Sequence, residues 1–233
     1  MIKRLESVTS TNDYIKDNSE ILQNGDCVFT TNQTAGKGRR GRSWACDGKG
    51  LAMSVYLTYE IRPERIPIIA AVGVRRALSA ACTKNCSVKW PNDILLDEKK
   101  LAGILCEAAH PGFAIGIGVN LAQSDTDFKA LGLPYAGSCF SLTGRIPSAD
   151  RLSADITKEI INVLSMPWDD IISEFSDNCI TVGKEVKIIT ASNEFVADAV
   201  GIADDGELII AVNGEEKRVM SGEVSVRGIY GYN

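Results

Sequence analysis

The chain is poor in the residues that build metal centres and disulfide frameworks. Its 233 residues include one histidine and seven cysteines. The number of cysteines is odd, and no two of them form a C-x-x-C pair. The sequence therefore predicts neither a zinc site nor a disulfide framework, and we expect most of the cysteines to be small buried hydrophobic residues. His110 precedes Pro111-Gly112 and is interpreted as a turn residue rather than a catalytic base.

Long hydrophobic runs are also missing. The longest, at residues 66–74, is interrupted by Pro67 and Gly73 and is far too short for a membrane span. The N-terminus becomes polar within a few residues and has no signal-peptide hydrophobic region. The formal net charge of -5 argues against nucleic-acid binding by the whole surface. We expect a cytoplasmic protein that binds neither membrane nor DNA.

The hydrophobic pattern predicts an α+β domain followed by a small all-β unit. Residues 50–59 alternate between apolar and smaller or polar side chains, which is typical of a half-buried strand, whereas residues 149–164 have helical spacing. After residue 182, short β-rich runs are separated by Asp-Gly and Asn-Gly turns, which are strong hairpin signals. The prediction is a domain at residues 1–180 and a small five-stranded barrel at residues 181–233. Residues 122–147 look irregular.

A basic, glycine-rich segment stands out from this mildly acidic chain. Residues 36–42 contain four cationic side chains and three glycines. Clustered like charge is typical of a solvated segment, and glycines let backbone N–H groups approach a ligand closely. The segment is therefore either a loop that becomes ordered around an anion or a solvated surface loop. A nucleic-acid contact is a weaker alternative, and charge alone does not decide among them.

Six short motifs together resemble those of the biotin protein ligases. They are Ser10-Thr11-Asn12, Gln-Thr-Ala-Gly-Lys-Gly-Arg-Arg-Gly-Arg at 33–42, Lys-Trp-Pro-Asn-Asp at 89–93, Lys-Leu-Ala-Gly-Ile-Leu at 100–105, Gly-Ile-Gly-Val-Asn at 116–120 and Ser-Gly-Glu-Val-Ser-Val-Arg at 221–227. The resemblance covers essentially the whole chain. It implies a central mixed β-sheet with helices on one face and a C-terminal barrel like that of Src-homology-3 domains.

The resemblance also implies an activity. Enzymes of this kind join biotin to ATP, with Mg²⁺, to form biotinoyl-5′-adenylate and pyrophosphate. They then transfer biotin to a lysine of a biotin carboxyl carrier domain. Because the Ser-Thr-Asn motif begins at residue 10, we expect the type without an N-terminal DNA-binding domain. Either a monomer or a homodimer is compatible with the sequence.

The family motifs assign roles to individual residues. The catalytic residues are expected to be Arg39 and Lys100. The expected biotin contacts are Ser10, Thr11, Gln33, Gly36, Lys37, Arg39, Lys100, Gly103, Gly116 and Gly118. The expected nucleotide contacts are Arg40, Arg42, Trp44, Lys89, Asn92, Asp93, Asn120 and Arg227. Asn92 and Asp93 are also candidates for contact with the metal ion.

Several of these residues have simpler interpretations that stay open. Ser10 and Thr11 could cap a helix, and Trp44 could be a tryptophan at the edge of the core. Lys37 stands where relatives commonly have arginine, so it keeps the charge but loses the bidentate fork. Two other functions also stay open, namely acyl transfer of the lipoate ligase or octanoyltransferase kind, and nucleic-acid binding through the basic loop.

Overall fold

The computed structural model describes residues 1–58, 61–190 and 193–221, and the backbone of residues 225–227. Helices within these ranges are α1 (Thr11–Asn18), α2 (Ile66–Cys82), α3 (Asp125–Ala130), α4 (Cys139–Thr143), α5 (Ala149–Leu164) and α6 (Trp168–Asp177). None of these helices has the length and apolar character that crossing a membrane requires.

A seven-stranded mixed sheet forms the centre of the molecule, as predicted. Its strands are β1 (Ile2–Arg4), β2 (Cys27–Gln33), β3 (Cys46–Thr58), β4 (Ser87–Lys89), β5 (Asp93–Leu96), β6 (Lys99–Ala109) and β7 (Gly112–Asn120). They lie in the order β1-β2-β3-β7-β6-β5-β4. Strands β1 and β2 pair in parallel, and the other neighbours pair antiparallel.

The two faces of this sheet are covered differently. Helices α2, α5 and α6 pack on one face, where they share a continuous apolar core with the inward residues of the strands. The prediction of helices on one face holds for these three longer helices. The short helix α1 lies on the opposite face, where Ile15 packs against Val28, Tyr56 and Ala114. With eight residues, α1 is too short for the sequence periodicity to indicate a second helical layer on this face of the sheet.

The C-terminal part forms a second, antiparallel sheet of five strands. These are β8 (Lys184–Ile189), β9 (Glu194–Ile202), β10 (Leu208–Val212), β11 (Glu215–Val219) and β12 (Ser225–Arg227), in the order β11-β10-β9-β8-β12. A small all-β unit is thereby confirmed. Its two outer strands, β11 and β12, do not pair with each other in the described part of the chain.

The two sheets are joined through Trp90, which is 1% exposed. Its indole Nε1 donates to the carbonyl oxygen of Gly206 at 3.0 Å, and its backbone N–H donates to Thr181 Oγ1 at 2.9 Å. Val186 and Leu208 of the second sheet belong to the same apolar core as the first. A boundary near residue 180 stays a prediction, because the packing is continuous across it.

The stretch predicted to be irregular contains the short helices α3 and α4. Each begins with a capping box, in which Ser124 pairs with Asp127 and Ser138 pairs with Ser141. The Ser-x-x-Asp spacing of the first box was a readable start signal. All seven cysteines lie within the described ranges and are free, and six of them are buried.

Candidate active site

A cavity of about 210 Å³ opens on the α1 face of the seven-stranded sheet. It brings together most of the residues that the motifs single out, although they are spread over more than a hundred positions. The predicted site residues in its wall are Ser10, Thr11, Gln33, Lys37, Arg39, Arg40, Arg42, Trp44, Lys89, Asn92, Asp93, Lys100, Gly103, Gly116 and Gly118. One cavity therefore joins the basic loop to strands β6 and β7.

One end of the cavity is neutral and rich in hydrogen-bonding groups. Ser10 is the N-cap of α1, and its side chain accepts from the N–H of Asp13 at 3.3 Å. The Thr11 N–H donates to Gln33 Oε1 at 2.9 Å, and Ser54 Oγ lies 2.8 Å from Thr11 Oγ1. Capping and cavity lining are therefore compatible, since Ser10 does both. Hydroxyl and amide groups of this kind can bind a ligand that both donates and accepts hydrogen bonds.

Glycines of β6 and β7 form part of the cavity floor. A Cβ atom at Gly116 would lie 2.5 Å from Asn12 Oδ1, and one at Gly118 would lie 2.1 Å from Trp44 Cε2. At Gly103 it would lie 3.2 Å from Trp44 Cζ3. The glycines of β6 and β7 therefore leave room for the Trp44 ring and for the polar end of α1. The buried Trp44 Nε1 has no hydrogen-bond partner among the described residues.

The basic loop is folded back over the cavity. The Gly38 N–H donates to the Arg42 carbonyl at 2.7 Å, and the Trp44 N–H donates to the Gly36 carbonyl at 2.9 Å. The Arg39 Nη1 donates to Asn92 Oδ1 at 3.0 Å, while its Nη2 donates to the backbone carbonyl of Ser221. The loop is therefore tied both to the Lys-Trp-Pro-Asn-Asp turn and to the C-terminal unit.

Burial sets Arg39 apart from its neighbours in the loop. It lowers the pKa of the Arg39 guanidinium, because the charged form is deprived of water, and the nearby Asp93 carboxylate opposes this shift. Since an arginine side chain stays charged in proteins, Arg39 presents a partly desolvated cation to the cavity. An anionic ligand there would interact with it more strongly than with an exposed charge.

Lys100 provides a second cation on the floor of the cavity. Its Nζ lies 2.7 Å from Asp93 Oδ1, and both side chains are less than one fifth exposed. The same ammonium group lies 5.7 Å from the centre of the Trp44 ring. Lys89 is 4% exposed and lies in the same wall. The positive end of the cavity is therefore built from side chains of the loop, of β4 and of β6.

The predicted metal contacts fit a metal ion poorly in this arrangement. Asn92 Oδ1 accepts from Arg39, and Asp93 Oδ1 is paired with Lys100, so both oxygens face cations. Hard divalent cations require several oxygen ligands, and no group of three His, Cys, Asp or Glu side chains within the described ranges could hold one. We therefore assign no step of a reaction to a metal bound by these residues.

Two predicted residues are not part of the cavity wall, and the side chain of a third is not described. Gly36 and Asn120 lie in the described part of the chain but outside the lining. A Cβ at Gly36 would lie 2.3 Å from the Trp44 carbonyl oxygen, so its small size serves the closure of the loop. Asn120 Nδ2 donates to the carbonyls of Lys100 and Gly137, which supports the strand that carries Lys100. The side chain of Arg227 lies outside the described residues.

The structure adds lining residues that the site prediction missed. Asn12, Ser43, Leu105, Leu133 and Tyr135 line the cavity. Asn12 was within reach of the sequence, since it follows Ser10 and Thr11 in the same motif. Leu133 and Tyr135 come from the stretch without a regular pattern, where no spacing signals that the chain returns to the cavity.

Two family models match the chain. The model of the biotin/lipoate A/B protein ligase family matches residues 4–122, slightly more than half of the chain. The chain belongs to this family. The biotin protein ligase C terminal domain also matches, at residues 181–227. The motifs, the cavity and the two sheets of this biotin/lipoate ligase family member thus agree with one another.

Individual relatives support the same assignment. The bifunctional ligase/repressor BirA of Bacillus subtilis is 29% identical over 219 residues, which are 87% of this chain and 66% of that protein. The biotin–[acetyl-CoA-carboxylase] ligase of Mycobacterium tuberculosis is 27% identical over 216 residues, which are 86% of this chain and 78% of that one. The chain therefore spans about two thirds of the length of the Bacillus relative.

Among solved structures, the biotin protein ligase from Aquifex aeolicus in complex with biotin and ATP is similar over almost its whole length. The TM-score is 0.86 at 26% identity, and the match covers 97% of this chain and 98% of that chain. Both units of this family member therefore have counterparts in a single solved chain.

Proposed function

We propose that this chain is a biotin protein ligase. It activates biotin with ATP to form biotinoyl-5′-AMP and pyrophosphate, and then transfers the biotinoyl group to a lysine of a biotin carboxyl carrier domain. The family, the named relatives and the similar chain that binds biotin and ATP support this proposal. The family model alone also covers lipoate enzymes, and the match at residues 181–227 favours biotin.

The observation that carries the proposal is the division of one cavity into two chemical ends. The neutral end, with Ser10, Thr11 and Gln33, suits the ureido ring of biotin, which has N–H donors and a carbonyl. The cationic end, with Arg39 and Lys100, suits the biotin carboxylate and the α-phosphate of ATP. Gly103, Gly116 and Gly118 line the same cavity, with Asn12 and the Trp44 ring packed close to them.

In the first step, a carboxylate oxygen of biotin attacks the α-phosphorus of ATP. The new P–O bond forms as the bond to pyrophosphate breaks. Because the biotin carboxylate is already ionised, no proton needs to be removed. Two anions must approach each other, and fixed cations lower this barrier by stabilising the charge on the transferring phosphate. Arg39 and Lys100 supply these cations, and the cavity supplies the alignment.

In the second step, the amine of the carrier lysine attacks the carbonyl carbon of the acyl group. The C–O bond to AMP breaks, and AMP leaves as an anion while the nitrogen loses its proton. Closure of the basic loop excludes water, which would otherwise hydrolyse the mixed anhydride. A cytoplasmic location and a monomeric or homodimeric state stay predictions, as do the nucleotide contacts of Arg40, Arg42, Trp44, Lys89, Asn92, Asp93, Asn120 and Arg227.

One assay tests the proposal. The protein is incubated with biotin, ATP labelled at the α-phosphate, magnesium and a biotin carboxyl carrier domain. We expect labelled adenylate and a biotinylated carrier. If neither product formed, the proposal would be wrong. Lipoate in place of biotin, with a lipoyl carrier domain, serves as the specificity control and should give little product.

A further inference from the structure

Lys37 differs from the other cations of the basic loop in where its charge points. Its Nζ lies 2.7 Å and 2.9 Å from the two carboxylate oxygens of Asp13, in the first turn of α1. Arg39 and Arg40, by contrast, contact Asn92 and the C-terminal unit. Lys37 therefore ties the loop to the helix at the neutral end of the cavity.

Asp13 is itself part of a polar chain that continues into the cavity floor. Lys16 Nζ lies 3.6 Å from Asp13 and 2.6 Å from Glu107 Oε1. Asn12 Nδ2 donates to Glu107 Oε2 at 2.7 Å, and Ser54 Oγ lies 2.6 Å from Asn12 Oδ1. A series of hydrogen bonds and ion pairs, the longest at 3.6 Å, thus connects the loop to the floor.

We propose that the Lys37–Asp13 ion pair is a latch that holds the basic loop closed over the cavity, with Asp13 as a positioning residue. This inference rests on the proposed function only for its effect on biotin. In this proposal, Lys37 binds Asp13 and holds the loop closed instead of contacting the biotin carboxylate. A lysine, which lacks the bidentate fork of arginine, is sufficient for that contact. The hydrogen bond from Lys37 also lowers the pKa of Asp13, so the carboxylate stays charged.

The latch is weak, as a lid that opens in every turnover requires. Lys37 is 51% exposed and Asp13 is 34% exposed. Exposed ion pairs of this kind change an equilibrium constant by at most about fivefold. Salt screens such pairs, with a Debye length of about 3 Å at 1 M. Loss of the pair should therefore raise the open fraction of the loop about two- to fivefold at low salt.

The first test uses the ligand-free protein and an arginine-specific protease. Arg39 is the least exposed arginine of the loop, so opening of the loop makes the bond after it more accessible, and the cleavage rate at this bond follows the open population. Mass spectrometry measures loop cleavage in wild type, Asp13→Asn, Lys37→Met, the double variant and Lys37→Arg. We expect each single variant to be cleaved two- to fivefold faster and the double variant no faster than either. Lys37→Arg adds a cleavable bond of its own, so it is compared only at the bond after Arg39, where it should behave like wild type.

A matched control is available in Lys84–Asp97, another exposed pair at 2.7 Å that lies outside the cavity wall. Asp97 has φ 46, which asparagine tolerates, so Asp97→Asn should leave loop cleavage unchanged. Thermal melting of every variant checks that global stability is preserved. Equal cleavage of Asp13→Asn and wild type would overturn the latch, as would additive effects in the double variant.

The second test measures the dissociation rate of labelled biotin. Asp13→Asn should release biotin two- to fivefold faster at low salt, and the difference from wild type should vanish at 1 M salt. If no variant binds biotin, the proposed function fails, while the protease result still decides the latch. If biotin binds but its release is the same in Asp13→Asn and wild type, the latch does not act on the ligand and the inference is wrong.

Discussion

The same strands build both faces of the seven-stranded sheet, yet the two faces have opposite chemistry. Along β7, Ile115, Ile117 and Val119 enter the apolar core under α2 and α5. The intervening Gly116 and Gly118 face the cavity and have no side chain. Because side chains alternate along a strand, one segment stabilises the fold with its odd positions and forms a binding surface with its even ones.

Charged groups follow the same division. On the helix face, Glu174 of α6 is paired with Arg75 and Arg76 of α2, which joins two helices that already pack together. On the cavity face, Lys100 and Asp93 line the cavity and do not join two helices. Charges on the first face hold elements together, whereas those on the second are available to a ligand. Substitutions on the two faces should therefore have separable effects.

The largest effect is expected for Lys100→Met on the cavity face. Removing a cation that stabilises the transferring phosphate should slow adenylate formation by about 10²- to 10³-fold. Rapid-quench measurement of labelled adenylate in a single turnover checks this rate. Lys99→Met is the matched control, because Lys99 is exposed and donates to the Pro134 carbonyl. Equal rates for Lys100→Met and Lys99→Met would contradict the assignment.

A smaller change is expected for Arg39→Gly, which removes the partly buried cation of the loop. The variant should still form the adenylate but release it about 10- to 100-fold faster, because hydrogen bonds to charged groups contribute about 1.5–3 kcal/mol. Freed adenylate should then label lysines of an unrelated protein added to the assay. Arg145→Gly, an exposed arginine outside the cavity wall, serves as control. Release at the wild-type rate would refute the role of Arg39.

Gly118→Ala should separate the two faces most directly. Its Cβ would lie 2.1 Å from Trp44 Cε2, so the ring must move, and overpacking of this size costs about 1–3 kcal/mol. We expect biotin or ATP affinity to fall about 5- to 100-fold in calorimetry. Ile115→Val, on the core side of the same strand, should lower the free energy of unfolding by about 0.5–1.5 kcal/mol and leave affinity unchanged. A reversed pattern would show that the faces are not independent.

The smallest effect concerns pH and the helix face. The hydrogen bond from Arg76, followed by that from Arg75, lowers the pKa of Glu174 against the opposing effect of burial. A lowered carboxylate pKa stabilises the fold fully above the pKa of the unfolded chain, and this stabilisation is lost as pH falls through the folded value. Glu174→Gln should therefore unfold about 1 kcal/mol more easily at neutral pH.

The matching measurement is urea unfolding of Glu174→Gln and wild type at neutral and strongly acidic pH. The difference in unfolding free energy should shrink as pH falls, since protonated Glu174 resembles glutamine. Asp155→Asn removes an exposed pair with Arg151 and should change little at either pH. A difference for Glu174→Gln that stayed constant with pH would exclude the ionised pair as its cause.

Sequence reasoning predicted the strands and long helices well because their periodicity is strong. The bounds of α5 agree to the residue with the structure. It indicated a helix capped at Ser10 or Thr11 but not that this helix lies on the cavity face, and it missed the short helices α3 and α4, where few residues repeat and tertiary contacts decide. The proposed site came from long motifs, and the structure gathers most of those residues around one cavity.

Long-range pairing marks the limit of that reasoning. Nothing in the spacing of Lys37 and Asp13 indicates that they meet, because 24 positions and strand β2 separate them. Asn120 shows the opposite difficulty. Its place at the end of β7, after Gly116 and Gly118, indicates a ligand contact. Its side-chain amide instead donates to the backbone carbonyls of Lys100 and Gly137. Motif membership identifies the neighbourhood of a residue but not the direction of its side chain.

Trp90 makes the two sheets mechanically dependent on each other. Its ring and backbone are held by Gly206 and Thr181 of the C-terminal part, and the two residues that follow Pro91 line the cavity. Asn92 and Asp93 therefore lie at the end of a turn whose first residue, Trp90, is hydrogen-bonded to residues outside the seven-stranded sheet. A shift of the Gly206 turn would move Asn92 and Asp93, the partners of Arg39 and Lys100. A substitution in that turn, far from the cavity, should therefore change the affinity for a ligand in the cavity.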